Sequence, residues 1–567
     1  MANGGSTFVA GMLMRTGLFS ATQVDDLLKT AREEGTTISM VVVRDGYAGE
    51  EEFLKALGAI LSIPFVRVGA EPIEQEVLHK LPTHVVFQHN VIPVSFEDDI
   101  LTVASSDPLN TGLVDTLRLA ANTRVRLALS PSTDIARASK KFYGVGADTV
   151  DRMMQDGRYE VAAEETLGKI DLGELGQEAS IVNFVNQIIA EADRQDATDI
   201  HFEPMEEELR IRYRVDGVLH RADVPPQLHR FQAAIISRIK VMANLDIAER
   251  RLPMDGRIGL RIQGKDIDIR VSTMPTVYGE SISLRLLQRT SNFVTLSELG
   301  LGVRDSGLIA RIIHRPNGIV LVTGPTGSGK STSLYAFLHE INQIDRRIMT
   351  AEEPIEYEMA GINQVLVRPE IGLTFARALR SFLRQDPDII MVGEVRDFET
   401  AEIAIQASLT GHLVFSTLHT NDAAGAFTRL LDMGVEPYLV SSAVEAVIAQ
   451  RLVRRLCEAC RQPSQDDPAL LREEGFPVEQ LGDRVLYEQG SCETCRMTGF
   501  RGRIGIFEVL PVTEPIRSMV VSRTSAGKMK EHAVQEGMST LRDDGWNKTL
   551  NGITTVQEVL RVTEEAQ

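Results

Sequence analysis

Gly318 to Ser333 reads GIVLVTGPTGSGKSTS, and no other stretch limits so sharply what this chain can fold into. Ile319, Val320, Leu321 and Val322 form a short unbroken apolar run, the pattern of a parallel strand covered on both faces. Gly324 to Ser331 then spells G-x-x-x-x-G-K-S, the spacing of a phosphate-binding loop, and a helix is expected to begin near Lys330. Strand, loop and helix thus arrive in the order a polyphosphate cradle requires. Gly324, Pro325, Thr326, Gly327, Ser328, Gly329, Lys330, Ser331 and Thr332 are the expected nucleotide-binding residues. The glycines let backbone approach the anion, and helix-terminal N–H groups face it. Lys330 neutralises β/γ charge, and the Ser331 hydroxyl ligates Mg²⁺. The chain is expected to bind a nucleoside triphosphate in an α/β fold.

At 567 residues a single core is excluded, and three or four domains are expected. No apolar run approaches the ~20 residues of a membrane span, and the N-terminus lacks a basic stretch followed by an apolar one. A cytoplasmic protein is therefore expected. The net charge of −19 argues against a general nucleic-acid coat, so no direct nucleic-acid partner is expected. The 4 cysteines all fall between Cys457 and Cys495, which speaks for metal rather than a disulfide scaffold. Cys457-x-x-Cys460 and Cys492-x-x-Cys495 supply enough thiolates to close a tetrahedral Zn²⁺ site. A closed site leaves no position for water and is structural.

Along the chain, Leu13 to Leu28 and Val42 to Leu57 form a weak repeat with glycines at Gly17 and Gly46, predicting two packed helical hairpins. Residues 68–145 read as a small α/β unit, with strands around Val91–Val94, Ile100–Ala104 and Val125–Leu129. Residues 146–178 are acidic and weakly periodic, and read as a linker or a loosely held helix. In 179–300, Ile181 to Ala192 has helical spacing and Arg210 to Tyr213 alternates as a strand. Arginines 250, 251, 257, 261 and 270 of this region are either solvated surface charges or a clamp for phosphate oxygens. Residues 301–450 alternate apolar strands with helices, and Glu394, Thr417 and His419 fall just past strand ends, where open α/β sheets gather function. Residues 451–500 carry the cysteines, and 501–567 are mostly helical.

From about Ala179 onward the sequence closely resembles the secretion ATPases of type II secretion and type IV pilus assembly. The resemblance rests on ATDIHFEP (197–204), RIRYRVDGVLHR (210–221) and RVSTMPTVYGESISLRLL (270–287). It continues through EEPIEY (352–357), RQDPDIIMVGEVRD (384–397), TGHLVFSTLHTND (410–422) and GITTVQEVLRVT (552–563). Residues 1–145 are similar to the family's N-terminal module in outline. The resemblance implies a RecA-like P-loop core, a preceding PAS-like α/β domain, a helical and α+β N-terminal module and a small tetracysteine subdomain. It also implies a homo-hexamer on the inner face of the cytoplasmic membrane, an inner-membrane platform protein and a membrane-anchored docking protein. ATP, Mg²⁺ and Zn²⁺ are the implied cofactors. A retraction ATPase of the same superfamily and a nucleotide-gated adaptor without turnover are the competing readings.

The resemblance also assigns roles. Glu352 is the implied base with Glu356 beside it, Glu394 holds Mg²⁺ or shares in base work, and His419 and His412 sense the γ-phosphate or brace Glu394. Gly393 stands where common Walker B strands have Asp. Arg212, Arg214, Arg257 and Arg270 are the candidates for the positive charge that family members supply from the preceding domain, partly from a neighbouring subunit. Hydrolysis is then expected to couple to movement of 179–300 against the core. Two departures stand out. Glu353 replaces the usual Asp of the acidic box. Many relatives bind a cyclic dinucleotide through repeats beginning Arg-Leu-Gly, but the aligned residues here are Phe8-Val9-Ala10 and Thr37-Ile38-Ser39. Without arginine and glycine, cyclic dinucleotide binding is not expected.

Overall fold

The computed structural model describes residues 4–69, 72–110, 112–155, 172–262, 265–288 and 294–563. The chain divides into two compact units, Met1–Gln288 and Arg289–Gln567.

In the first unit the weak repeat forms two helical hairpins, Gly4–Arg15 with Ala21–Glu34 and Ile38–Arg44 with Glu50–Leu61. The equivalent glycines Gly17 and Gly46 turn the chain at φ 72° and 71°, the left-handed region that suits residues without a Cβ. Leu13, Leu27, Val42, Phe53 and Leu57 share one core between the hairpins. Next come β1 (Val91–Glu97), β2 (Ile100–Ser105) and β3 (Arg124–Leu129). β1 and β2 pair antiparallel, and β2 and β3 pair parallel across the helix Leu113–Ala121.

The stretch 146–178, read as an acidic linker, is partly built into the fold. Ala147–Gln155 is a helix whose Val150 and Met153 are buried in the same core as Phe184, Ile188 and Tyr213. Val145 N–H donates to Asp223 O at 2.6 Å, and a Cβ on Gly146 would come within 2.6 Å of the Phe184 ring. His84 Nδ1 lies 3.1 Å from Asp151 Oδ2, tying this helix to the helix Thr83–His89. Two apolar anchors on a short acidic helix give too little periodicity to be read from sequence. The helix expected at 181–192 runs from Leu172 to Arg194. Residues 156–171 of the expected linker lie outside the described residues.

β4 (Ala197–Pro204), β5 (Leu209–Val215), β6 (Val218–Arg221), β7 (Met254–Ile262), β8 (Lys265–Thr276) and β9 (Gly279–Gln288) form an antiparallel sheet in the order β6-β5-β4-β9-β8-β7. Ile200, Phe202, Ile211, Ile269, Ile282 and Leu284 point into the core beneath it, as period-two alternation dictates. The alternate residues carry charge. Arg257, Arg270, Arg285, Asp199 and Arg214 are direct cross-strand partners in one row across five strands.

The second unit is built on β10 (Gly318–Thr323), β11 (Ile348–Glu352), β12 (Ile362–Leu366), β13 (Ile389–Val392), β14 (Leu413–Leu418) and β15 (Val444–Leu456). A two-stranded ribbon follows, β16 (Gln462–Pro463) with β17 (Tyr487–Glu488), and then β18 (Phe500–Pro511). The main sheet has the order β12-β11-β13-β14-β10-β15-β18, parallel except for β18 on β15. Every residue of β10, β13 and β14 is buried, so their apolar runs are the sheet's centre. One flanking core holds Leu334, Phe337 and Phe415, and the other holds Leu379, Ala404 and Phe427. This is a RecA-like arrangement, with the phosphate loop following the central strand β10.

Candidate active site

Gly324 (φ 149°), Gly327 (φ 79°) and Gly329 (φ 87°) shape the loop between β10 and the helix Lys330–Ile341. Two of them are glycine for closeness as well as angle. A Cβ on Gly324 would sit 2.5 Å from Gln450 O, and one on Gly329 would sit 2.8 Å from Gln450 Nε2. Lys330 Nζ donates to Gly324 O at 2.8 Å and Pro325 O at 3.0 Å, so the ammonium is folded onto its own loop. Burial lowers the Lys330 pKa to about 8; Glu394 opposes that shift and Arg451 adds to it. Ser328 Oγ is buried and has no hydrogen-bond partner among the described residues, whereas Ser331 is exposed at the mouth. Thr326 is exposed, and Thr332 is half-buried on the helix's first turn. An orphaned hydroxyl, a self-bonded ammonium and an open serine fit a polyphosphate with its magnesium ion.

The carboxyl edge of the sheet gathers the acidic residues. Glu352 ends β11 and is buried. Its Oε1 accepts from Thr350 Oγ1 at 2.5 Å and Gln364 Nε2 at 3.0 Å, and its Oε2 accepts from Tyr335 Oη. The Glu352 carboxylate and burial together push the Tyr335 phenol pKa up, burial having the larger effect. Glu356 follows on the loop, its N–H donating to Tyr335 Oη at 3.1 Å. Glu394, just past β13, lies 3.6 Å from His419 Nε2 and 2.5 Å from Arg396 Nη2. Arg396 Nη1 also reaches Glu353 at 3.2 Å, so the longer acid of the altered box finds a cation. Gly393 is packed by its neighbours: its N–H donates to Ala351 O at 2.8 Å, and a Cβ there would meet that oxygen at 3.3 Å. An Asp side chain has little room at this point.

His412 is not at this edge. It precedes β14 at the amino end of the parallel sheet, level with the start of β10, and its Nδ1 lies 2.8 Å from Ala407 O. Six residues of strand, about 20 Å, separate that level from the phosphate loop. The expectation that His412 senses the γ-phosphate or braces Glu394 is therefore corrected: through Ala407 O it fixes the turn into β14.

The arginine candidates belong to the first unit. Arg212 Nη2 bonds Glu203 Oε1 at 2.5 Å, and Arg214 Nη1 donates to Gly217 O at 2.9 Å. Arg257 is exposed and faces Arg270 across β7 and β8. Arg212 Nε and the cross-strand His201 Nε2 are buried without a partner among the described residues.

The cysteine knuckles meet as their spacing predicts. Cys457 and Cys492 sulfurs lie 3.7 Å apart, Cys460 and Cys495 3.6 Å, and Cys492 and Cys495 3.6 Å. All four sulfurs fall within 4.8 Å of one another. Zn–S bonds of about 2.3 Å set tetrahedral sulfur edges of about 3.8 Å, so the four thiols fit a closed zinc site.

Sequence reasoning missed Tyr335, Arg396, Gln450, Arg451 and Arg285. Tyr335 sits inside a helix, and Gln450 and Arg451 inside an apolar strand, so only three-dimensional neighbours reveal them. Arg451 is buried, and its Nη2 donates to Asn421 O at 3.1 Å. Arg285 bonds Asp199 at 3.0 Å. It was passed over within a quoted motif because its row is set by register alone.

The model of the type II/IV secretion system protein family matches residues 174–561, and that of the MshEN domain matches 61–149. The chain is 41% identical over 553 residues to the type IV pilus assembly ATPase PilB of Myxococcus xanthus, covering 97% of each. It is 42% identical over 541 residues to the type II secretion system protein E of Xanthomonas campestris pv. campestris, covering 94% of each. Among solved structures, the Legionella pneumophila ATPase DotB superposes with TM-score 0.50 at 22% identity, covering 68% of this chain and 96% of that one, a likeness of fold alone. The chain therefore belongs to the type II/IV secretion system protein family, and it is an ATP hydrolase with a P-loop core.

Proposed function

We propose that this type II/IV secretion family ATPase works as a hexameric ring that extends a pilus or pseudopilus through an inner-membrane platform protein. Its relatives named for pilus assembly and type II secretion match over nearly their whole length, which supports an assembly role. No helix among the described residues is long and apolar enough to cross a membrane, so attachment to the inner face runs through partners. The N-terminal module then docks on a membrane-anchored protein. Cyclic dinucleotide is not its ligand: Thr37 is occupied as a helix cap for Met40 N–H at 3.3 Å, where a relative would carry a bidentate arginine. Titration calorimetry on the full chain should detect no micromolar binding, and a micromolar affinity would sink that reading.

The observation that carries the enzymatic reading is the meeting of Lys330, Glu394 and His419 at one sheet edge. Lys330 and the loop N–H groups take the β and γ phosphates, exchanging the loop carbonyls for phosphate oxygens. Bound Mg²⁺ supplies positive charge against the phosphate oxygens, and Ser331 and Glu394 are the residues that would hold it. Glu352 orients and deprotonates the attacking water, which requires it to release one of its three donors. Glu356 assists, and His419 reports γ-phosphate to Glu394. Arg212, Arg214, Arg257 and Arg270 supply the remaining positive charge, so that turnover couples to movement of 179–300 against the core. Lys330→Ala in the full-length protein should cut phosphate release at least about 10³-fold. Undiminished release would refute the site.

A further inference from the structure

The turn Thr420–Ala423 begins one residue past His419 and is held from two sides, by the end of β10 and by the C-terminal region. On the core side, Thr323 Oγ1 accepts Thr420 N–H at 2.9 Å and lies 2.6 Å from Thr420 Oγ1. Thr323 is the last residue of β10, directly before the phosphate loop. On the C-terminal side, Glu508 of β18 accepts Ala423 N–H at 2.9 Å through Oε1. Lys530, on the helix Ala526–Gln535, stands 3.4 Å from both Glu508 Oε2 and Asp422 Oδ2. Asp422 Oδ1 in turn accepts Gly425 N–H at 2.9 Å, starting the next helix.

Glu508 is 0% exposed. Its burial raises the carboxyl pKa, while Lys530 and the Ala423 N–H act against that rise. Glu508 is buried and Lys530 half-buried, and apolar residues of similar volume often replace a buried ion pair without loss of stability. What this pair does instead is visible in what it grips, the backbone and the acid of the histidine-bearing turn.

We propose that Glu508 and Lys530 are positioning residues for ATP hydrolysis, fixing the Thr420–Ala423 turn that sets His419 toward Glu394 and meets Thr323 beneath the phosphate loop. The C-terminal region is then part of the catalytic apparatus. This rests on the hydrolase reading of that site. Lys330 reaches its loop without passing through the turn, so removing Lys530 alone leaves nucleotide binding intact and slows turnover.

The test uses the full-length chain. Lys530→Met should lower kcat about tenfold, with KM for ATP within about twofold of wild type. Lys530→Arg should stay within about threefold of wild type. Glu508→Gln combined with Lys530→Met removes both charges yet keeps an acceptor for Ala423 N–H, and should regain most of the loss. Where Lys530→Met alone fails to fold, Glu508→Leu combined with Lys530→Met removes the charges and the acceptor for Ala423 N–H together; it should lower kcat about tenfold, and wild-type kcat there overturns the proposal. The proposal is overturned if kcat of folded Lys530→Met stays within twofold of wild type. It is equally overturned if kcat falls only in step with Tm, vanishing when the assay is cooled. A wild-type chain without ATP turnover would overturn the hydrolase reading, and this inference with it.

Discussion

The two large sheets of this protein carry function in different places. The parallel sheet of the second unit is buried on both faces, so its chemistry lies along one edge, where Lys330, Glu352, Glu394 and His419 follow strand ends. The antiparallel sheet of the first unit buries one face and leaves the other charged. Its chemistry is a row, with Arg257, Arg270, Arg285, Asp199 and Arg214 abreast. The edge offers a lysine and acids suited to phosphate and metal. The row offers guanidinium groups, of which Arg285 and Arg214 are partly neutralised by Asp199. The two sheets thus divide acids and guanidinium groups between an edge and a row.

The largest expected effect breaks or keeps that division of labour. Arg257 is exposed, and no hydrogen bond or ion pair among the described residues commits it. Arg257→Ala should lower kcat about 10³-fold, the scale of an arginine finger, while ATP affinity changes little. Steady-state phosphate release alongside equilibrium nucleotide binding separates the two. Undiminished release would reduce the row to surface charge and leave the edge to work alone.

The same contrast explains what could be read from the chain. An edge site is legible, since each functional residue follows an apolar run and lies in a loop motif; Lys330, Glu394 and His419 announce themselves this way. The cysteine site is legible for a similar reason, because both ligand pairs are local. A row across antiparallel strands depends on register, which the sequence does not state, and so Arg285 was passed over inside a motif that had been quoted. Gln450, Arg451 and Glu508 were hidden for another reason. Each is a polar residue within a buried strand, and only the neighbours brought close by folding give it a task. The helix Ala147–Gln155 was hidden by its charge, since only Val150 and Met153 anchor it.

A second prediction sharpens the comparison within the edge itself. Glu352 and Glu394 differ in how free they are: Glu352 is buried with three donors, and Glu394 faces His419 and Arg396. If Glu352 is the base, Glu352→Gln should lower kcat about 10²-fold with nearly unchanged nucleotide affinity. A variant that loses thermal stability but keeps kcat would make Glu352 a packing acceptor and move the base role to Glu394.

The smallest effect concerns the charge of Lys330 before ATP arrives. Burial holds its pKa at about 8, with Glu394 resisting the depression and Arg451 adding to it. Because the folded value lies below the ordinary lysine value of 10.5, the unfolded chain binds more protons between the two, and stability gained from this group rises with pH across that window. Binding runs the other way. A polyphosphate favours the ammonium form, so ATP binding takes up a proton near and above pH 8, and affinity falls as pH rises. With a pKa of about 8, roughly one site in ten keeps its proton at about pH 9, so the loss from about pH 7 to about pH 9 should approach tenfold. Calorimetry in two buffers of different ionisation enthalpy measures the proton uptake directly. Affinity that stays flat over that range, with no proton exchanged, would mean the edge keeps a permanent cation.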